Sequence, residues 1–237
     1  MIIGVHQPNF LPWIGFFNKI FLSDCFILLD DVKYPGAGAG NWVNRNRILI
    51  SGKPVYVTVP ICRSDFRNAK ISDVEIFNLE NWKKKFFKTV IYNYGKAPFL
   101  AENRELVDFI MASSDIKLIN FNMGIIRKIC EMLEINFQKI LLSSELGVMS
   151  KSTYRIRDLI TNINGSTYLS GNGSQSYLNT EILEAAGIGT IFQENRYPVY
   201  KQVGSNHFIE QLSILDWLFN IGRDRTYRAI ESSLYHG

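Results

Sequence analysis

A chain of 237 residues that is 46% hydrophobic and 20% charged carries enough apolar material for one sizeable core. Its 26 basic and 22 acidic residues leave a net charge of +4, too weak a field by itself to mark a nucleic-acid binder. Cys25, Cys62 and Cys130 are odd in number and far apart, so they read as reduced packing residues and not as a disulfide frame or a zinc site.

The opening residues MIIGVHQPNF lack the basic start of a secretory leader, and no apolar run approaches the roughly 20 residues of a membrane span. A soluble, cytoplasmic protein with no membrane partner is expected. Residues 2–6 (IIGVH) read as a short buried strand. Residues 11–23 repeat their apolar positions with a helical period, and FILLDD (26–31) reads as a second buried strand. This βαβ unit is the seed of a parallel sheet. PGAGAG (35–40) reads as a mobile loop, and the apolar runs on either side of Ser51-Gly52-Lys53 as a β-hairpin. Residues 81–135 carry a helical pattern, with Lys83-Lys84-Lys85 as a solvated face beside Trp82.

The remainder alternates: strand 138–144, helix 152–163, strand 167–171, helix 175–187, strand 189–195 and helix 212–222. The expected fold is α/β, with a Rossmann-like, mostly parallel sheet, a β-hairpin and a helical insertion at about 81–135. A single domain over residues 1–237 is expected.

Polar residues collect where strands end. The clusters are His6-Gln7-Pro8-Asn9; Asp30-Asp31; Asn41 to Arg47, with Trp42, Asn44 and Arg45; Ser170-Gly171-Asn172-Gly173-Ser174; and Gln193 with Tyr197, Tyr200 and Gln202. In a parallel sheet all carboxyl ends share one edge, so these clusters can converge on one pocket. Each has a plainer alternative: a core histidine, carboxylates that end a strand, arginines paired with those carboxylates, and a glycine turn with no anion to bind. His6, His207 and His236 have no ligand spacing, and no metal is expected.

On HQPNFLPWIGFFNKI, FILLDDVKY, NWVNRNRI, YGKAPF, YLSGNGSQSYL and LSILDWLFNIG, the chain resembles the WbqC-like protein family. The family's signature falls on His6, Gln7, Pro8, Trp13, Gly15, Asp30, Asp31, Asn44, Arg45, Ser170, Gly171, Tyr177 and Asp216. Its members occur in bacterial O-antigen gene clusters. The resemblance implies a transferase of glycine, or another acyl group, to the amino group of a nucleotide-linked amino sugar in lipopolysaccharide or other surface-polysaccharide biosynthesis. The donor it implies is an acyl-carrier thioester, a charged tRNA, a coenzyme A ester, or a free amino acid with ATP, and sequence-specific nucleic-acid binding is not expected.

Such chemistry needs a base for the amine proton, donors for an oxyanion, and a grip on the nucleotide sugar. His6 is the base candidate, with Asp30 or Asp31 orienting it or binding the sugar. Gln7 and Asn44 are candidate oxyanion donors. Arg45, Arg47, Ser170, Gly171, Gly173 and Ser174 are candidates for the diphosphate; Trp13, Trp42, Tyr177 and Gln202 for the rest of the substrate.

A second resemblance, of VMSKSTYRIRDL (148–159) to the signature loops of class I nucleotide-binding enzymes, implies ATP and an adenylate-forming ligase using Ser150, Lys151 and Ser152. The second histidine of those enzymes' first turn is missing here. A non-catalytic nucleotide-sugar-binding protein is the third alternative.

Overall fold

The structure, a computed structural model, describes residues 1–237 except 37, 39, 63–67, 175–177, 195 and 233–237. Tyr177, His236, the expected helix start at 175, the strand end at 195 and part of the 35–40 loop lie outside the described residues.

The chain begins with β1 (Ile2–His6), α1 (Ile14–Leu22) and β2 (Cys25–Leu28). Next come the hairpin strands β3 (Arg45–Ile50) and β4 (Lys53–Thr58), then the helices α2 (Leu79–Tyr94), α3 (Leu100–Ala112) and α4 (Leu118–Met132). It returns through β5 (Ile140–Leu142), α5 (Ser152–Asn162), β6 (Thr167–Ser170), α6 (Thr180–Glu184), β7 (Gly189–Phe192) and α7 (Ile214–Ser232).

Five strands form one sheet in the order β5-β2-β1-β6-β7, and all four pairings are parallel. Parallel strands bury both faces, and the alternation of β2 shows how. Phe26 and Leu28 join a cluster with Phe16, Phe17 and Ile20 of α1 and Leu215 and Phe219 of α7. Ile27 points the other way, to a cluster with Ile3, Val5, Leu159 and Ile160 of α5 and Leu183 of α6. Leu106, Ile125 and Ile129 of the three-helix segment extend the first cluster, so those helices share its core.

The hairpin turns at Ser51 and Gly52, whose φ values of 49° and 76° give the mirror-image turn that matches strand twist. Arg45 opposes Thr58 and Arg47 opposes Tyr56 across it.

Three elements depart from the sequence reading. Within the described part of the helix expected over 175–187, the helix is Thr180–Glu184, started by Asn179, which caps it by accepting the Glu181 amide at 3.0 Å. The last helix runs on to Ser232 after a break at Gly222, where φ is 81°. Lys83 is not solvated: it is 3% exposed, and its ammonium donates to the Ser113 carbonyl, the C-cap of α3, at 2.6 Å while pairing with Glu80 at 2.7 Å. Helical period puts it on the inner side with Trp82 and Phe86, and the negative end of the α3 dipole accepts its charge.

Gly15 has a local purpose that spacing did not reveal. A Cβ there would stand 2.3 Å from the Trp13 indole, so the glycine makes room for that ring and not for closer approach to the sheet. Gly15→Ala is expected to displace the indole and cost about 1–3 kcal/mol. Thermal melting together with a tryptophan emission shift checks it; an unchanged spectrum contradicts it.

Candidate functional site

Strand order reverses beside β1. Its neighbours are β2, next in the chain, and β6, reached only after the long excursion through the hairpin and helices. In open α/β sheets the crevice at the carboxyl ends of two such strands is where ligands bind. A cleft of about 780 Å³ lies there, within the range of small-molecule sites. Its lining includes Val5, His6 and Gln7 from the end of β1, Lys19 from α1, Lys33 and Trp42 beyond β2, Ser152, Thr153, Arg155 and Ile156 from α5, and Tyr168, Gly171, Gly173 and Ser174 around the end of β6.

His6 Nδ1 lies 3.0 Å from the Gln7 carbonyl oxygen, and its ring stands edge-on to Phe16 at 5.1 Å. A carbonyl only accepts, so this hydrogen bond puts the proton on Nδ1 and leaves the neutral ring's lone pair on Nε2. Burial, with the positive charge of Lys19 nearby, pulls the imidazole down to about 4; it is neutral at physiological pH.

Lys19 was not singled out from sequence. It is 3% exposed, donates to the Val5 carbonyl at 3.0 Å and lies 5.6 Å from the Tyr168 ring centroid. None of its ion pairs among the described residues is with a carboxylate, and burial lowers it to about 7. The signal was present in FFNKIFL, where every neighbour of Lys19 but Asn18 is apolar, and Asn18 is itself buried.

Other predicted residues meet elsewhere. Asp30 accepts hydrogen bonds from the Ser143 hydroxyl at 3.1 Å and the Ser144 amide at 2.9 Å. Asp31 takes the Ser143 hydroxyl and a charge-assisted bond from Arg155, which hold its carboxyl below the usual range against the opposing effect of burial. These carboxylates therefore clamp the start of α5 and the turn after β5 to the end of β2, and neither touches His6. Ser170 is buried and shares a hydroxyl contact with Ser174, whose Oγ also donates to the Gly171 carbonyl at 2.7 Å. The glycine turn borders the cleft but leads into no long helix, since α6 starts only at Thr180.

Asn44 lies in the hairpin base, donating to the Val59 carbonyl at 2.8 Å and accepting from Asn41 at 2.9 Å. Arg45 covers Tyr56 at 4.4 Å and donates to the Asn41 and Gly38 carbonyls; Arg47 donates to Gln211. Neither arginine pairs with Asp30 or Asp31 in these contacts. Trp13 lines a different cavity, described below. Of the MSKS stretch, Ser152 lines the cleft, the Ser150 carbonyl accepts from Arg155 at 3.3 Å, and Lys151 is exposed.

Gln202 belongs to a network around Asp216, which is fully buried. The Asp216 carboxylate accepts from Tyr94 at 2.9 Å, Tyr200 at 2.6 Å and Gln202 at 2.8 Å, tying α2, α7 and the 200–202 segment together. Tyr94 also accepts the Leu49 amide of β3. Asp216→Ala strands three buried donors and is expected to cost at least about 3 kcal/mol in urea denaturation; a loss under 1 kcal/mol would show that the network contributes little.

Against this geometry, residues 7–228 match the WbqC-like protein family. The chain belongs to that family. A protein of Mycobacterium tuberculosis, named "Uncharacterized protein Rv1507c", is 29% identical over 224 residues, covering 94% of each chain. No solved structure matches. The match starts at Gln7 and so takes in the β1–α1 connection, the clamp carboxylates, the glycine turn and Asp216 of this WbqC-like chain. No described helix is long and apolar enough to cross a membrane. Among the described residues, no group of three His, Cys, Asp or Glu could hold a metal ion.

Proposed function

We propose that this WbqC-like protein is a transferase that moves glycine or a similar acyl group onto the amine of a nucleotide-linked amino sugar for a surface polysaccharide, with its active site in the cleft between β1 and β6. The observation that carries this reading is a neutral imidazole with its free lone pair on Nε2, beside a buried lysine that has no carboxylate partner among the described residues. As the sugar's neutral amine bonds to the acyl carbon its nitrogen sheds a proton, which His6 Nε2 accepts and passes to the donor's leaving sulfur or oxygen as the acyl–donor bond breaks. Lys19 then offers its positive charge to the oxyanion that forms as the carbonyl is attacked, in a site with little water to screen it. Gln7 and the Gly171–Ser174 turn hold the ligand's polar groups, and Trp42 offers a ring face to the sugar or base. Cys25 and Cys130 are poor acyl carriers: burial raises both thiols, Cys130 to about 12.

An ATP-dependent ligase is the second reading. Its support is that Ser152 and Thr153, at the start of α5, border the same cleft. Its required lysine, Lys151, is exposed and absent from the cleft wall.

The test incubates the purified protein with UDP- and dTDP-linked amino sugars and glycyl donors of each class, with mass-spectrometric detection of the acylated sugar. Product from thioester or tRNA donors without ATP supports direct transfer. Pyrophosphate release that requires ATP and Lys151 supports the ligase. Ligand binding without product from any donor supports a binding protein.

A further inference from the structure

Four partly or largely buried aromatic rings line a second cavity of about 330 Å³. Trp13, Tyr197, Phe208 and Trp217 line it, with Glu210 and Arg196 at its rim. Tyr197 stands at 89° to Trp13, with ring centres 6.0 Å apart, and at 76° to Trp217 at 5.9 Å. Both are edge-to-face contacts, and Tyr200 packs on Trp217 at 4.5 Å behind them.

The entries to α1 and α7 place two of these rings. Trp13 occupies the N-cap of α1, where a short polar side chain is favoured, and supplies no cap hydrogen bond. Gly15, a weak helix former, is required beneath its indole. Gln211, on the cavity wall, has a φ of 55° three residues before α7, as Leu11 has a φ of 41° three residues before α1, and an antiparallel bridge between Trp13 and Ser213 joins the two turns.

The chemistry of the lining narrows the ligand. An aromatic lining attracts an organic cation, and Glu210 adds an exposed carboxylate to it. Arg196 is turned to Glu194, at 3.3 Å. The volume suits one ring-sized group and not a nucleotide. We propose that the Trp13–Trp217 box is a separate site for a protonated amine carried on a small ring, such as an unacylated amino sugar. Under the transferase reading it is a place where the unmodified sugar docks, and an N-acylated sugar is rejected because it brings no charge to the rings. The amine site itself does not depend on that reading.

The test is a titration of the intact protein with methyl glucosaminide, its N-acetyl derivative, methyl glucoside and tetramethylammonium, followed by intrinsic fluorescence and calorimetry. Trp42→Phe removes the indole of the main cleft from the signal. The expected result is binding of methyl glucosaminide with competition by tetramethylammonium, and at least tenfold weaker binding of the two neutral sugars. Glu210→Gln and Phe208→Ala should each weaken binding several-fold, and His6→Ala should leave it unchanged. Glu210 is exposed, so that variant keeps its fold. Equal affinity for charged and neutral sugars, or binding indifferent to Glu210→Gln, overturns the proposal. Loss of binding on His6→Ala overturns it as well, since the ligand would then occupy the main cleft.

Discussion

Replacing His6 with alanine is expected to lower turnover by roughly 10²–10⁴-fold while the circular dichroism spectrum stays that of the parent. The pH profile carries more information than the loss itself. An unperturbed histidine base would lose activity as pH falls through its ordinary value near 6.5; here the imidazole is held at about 4, so the acid limb should appear near pH 4. The same shift acts on stability. The unfolded chain takes up a proton on His6 below pH 6.5, and the native ring resists until about 4. His6 therefore contributes no pH-dependent penalty above 6.5, and stability is lost as pH is lowered from 6.5 toward 4. An acid limb near 6.5 in the parent enzyme, or an alanine variant with parental turnover, would remove His6 from the chemistry.

Lys19→Met is expected to stabilise the protein at neutral pH and to weaken binding of an anionic ligand in the cleft by at least tenfold. Lysine in the unfolded chain keeps its proton up to about 10.5, and Lys19 in the native state gives its proton up near 7. Between those values the unfolded state binds more protons, so stability rises with pH. A lysine shifted this far contributes roughly 3 kcal/mol of that rise between pH 7 and about 9.5. Urea denaturation at the two pH values should show the slope in the parent and its loss in the methionine variant. Methionine fills the same space without burying a charge, which is why the variant gains stability as it loses function. A pH slope that survives Lys19→Met contradicts the burial argument. Tighter anion binding in the variant contradicts the electrostatic one.

What could be read from the sequence, and what could not, follows from the range of the interactions. IIGVH, FILLDD and TYLSG are apolar runs too short for helices, and each became a strand of the parallel sheet. Ser51-Gly52 announced its hairpin because few residues accept the required backbone. His6 stood out as an isolated histidine at a strand end, and it does line the cleft. Lys19 hid inside an apolar helix, where a lone charge is easily taken for an exposed one. Asp30 and Asp31 looked like partners for His6, yet their bonds go to Ser143 and Arg155, 112 to 124 residues away, and no local pattern encodes that. Trp13 looked like a wall of the histidine cleft because it is close in sequence. The turn into α1 carries its ring to the other cavity.

The central claim is that the cleft between β1 and β6 receives the substrate beside a neutral His6. The most direct measurement is an NMR titration of histidine-ring-labelled protein at neutral pH with UDP-glucosamine. The expected result is a His6 resonance of a neutral ring protonated on Nδ1, which shifts on saturation while the exposed His207 stays in place. A His6 signal of a charged imidazolium, or one that UDP-glucosamine and its dTDP counterpart leave unmoved at concentrations where calorimetry shows binding, would contradict it.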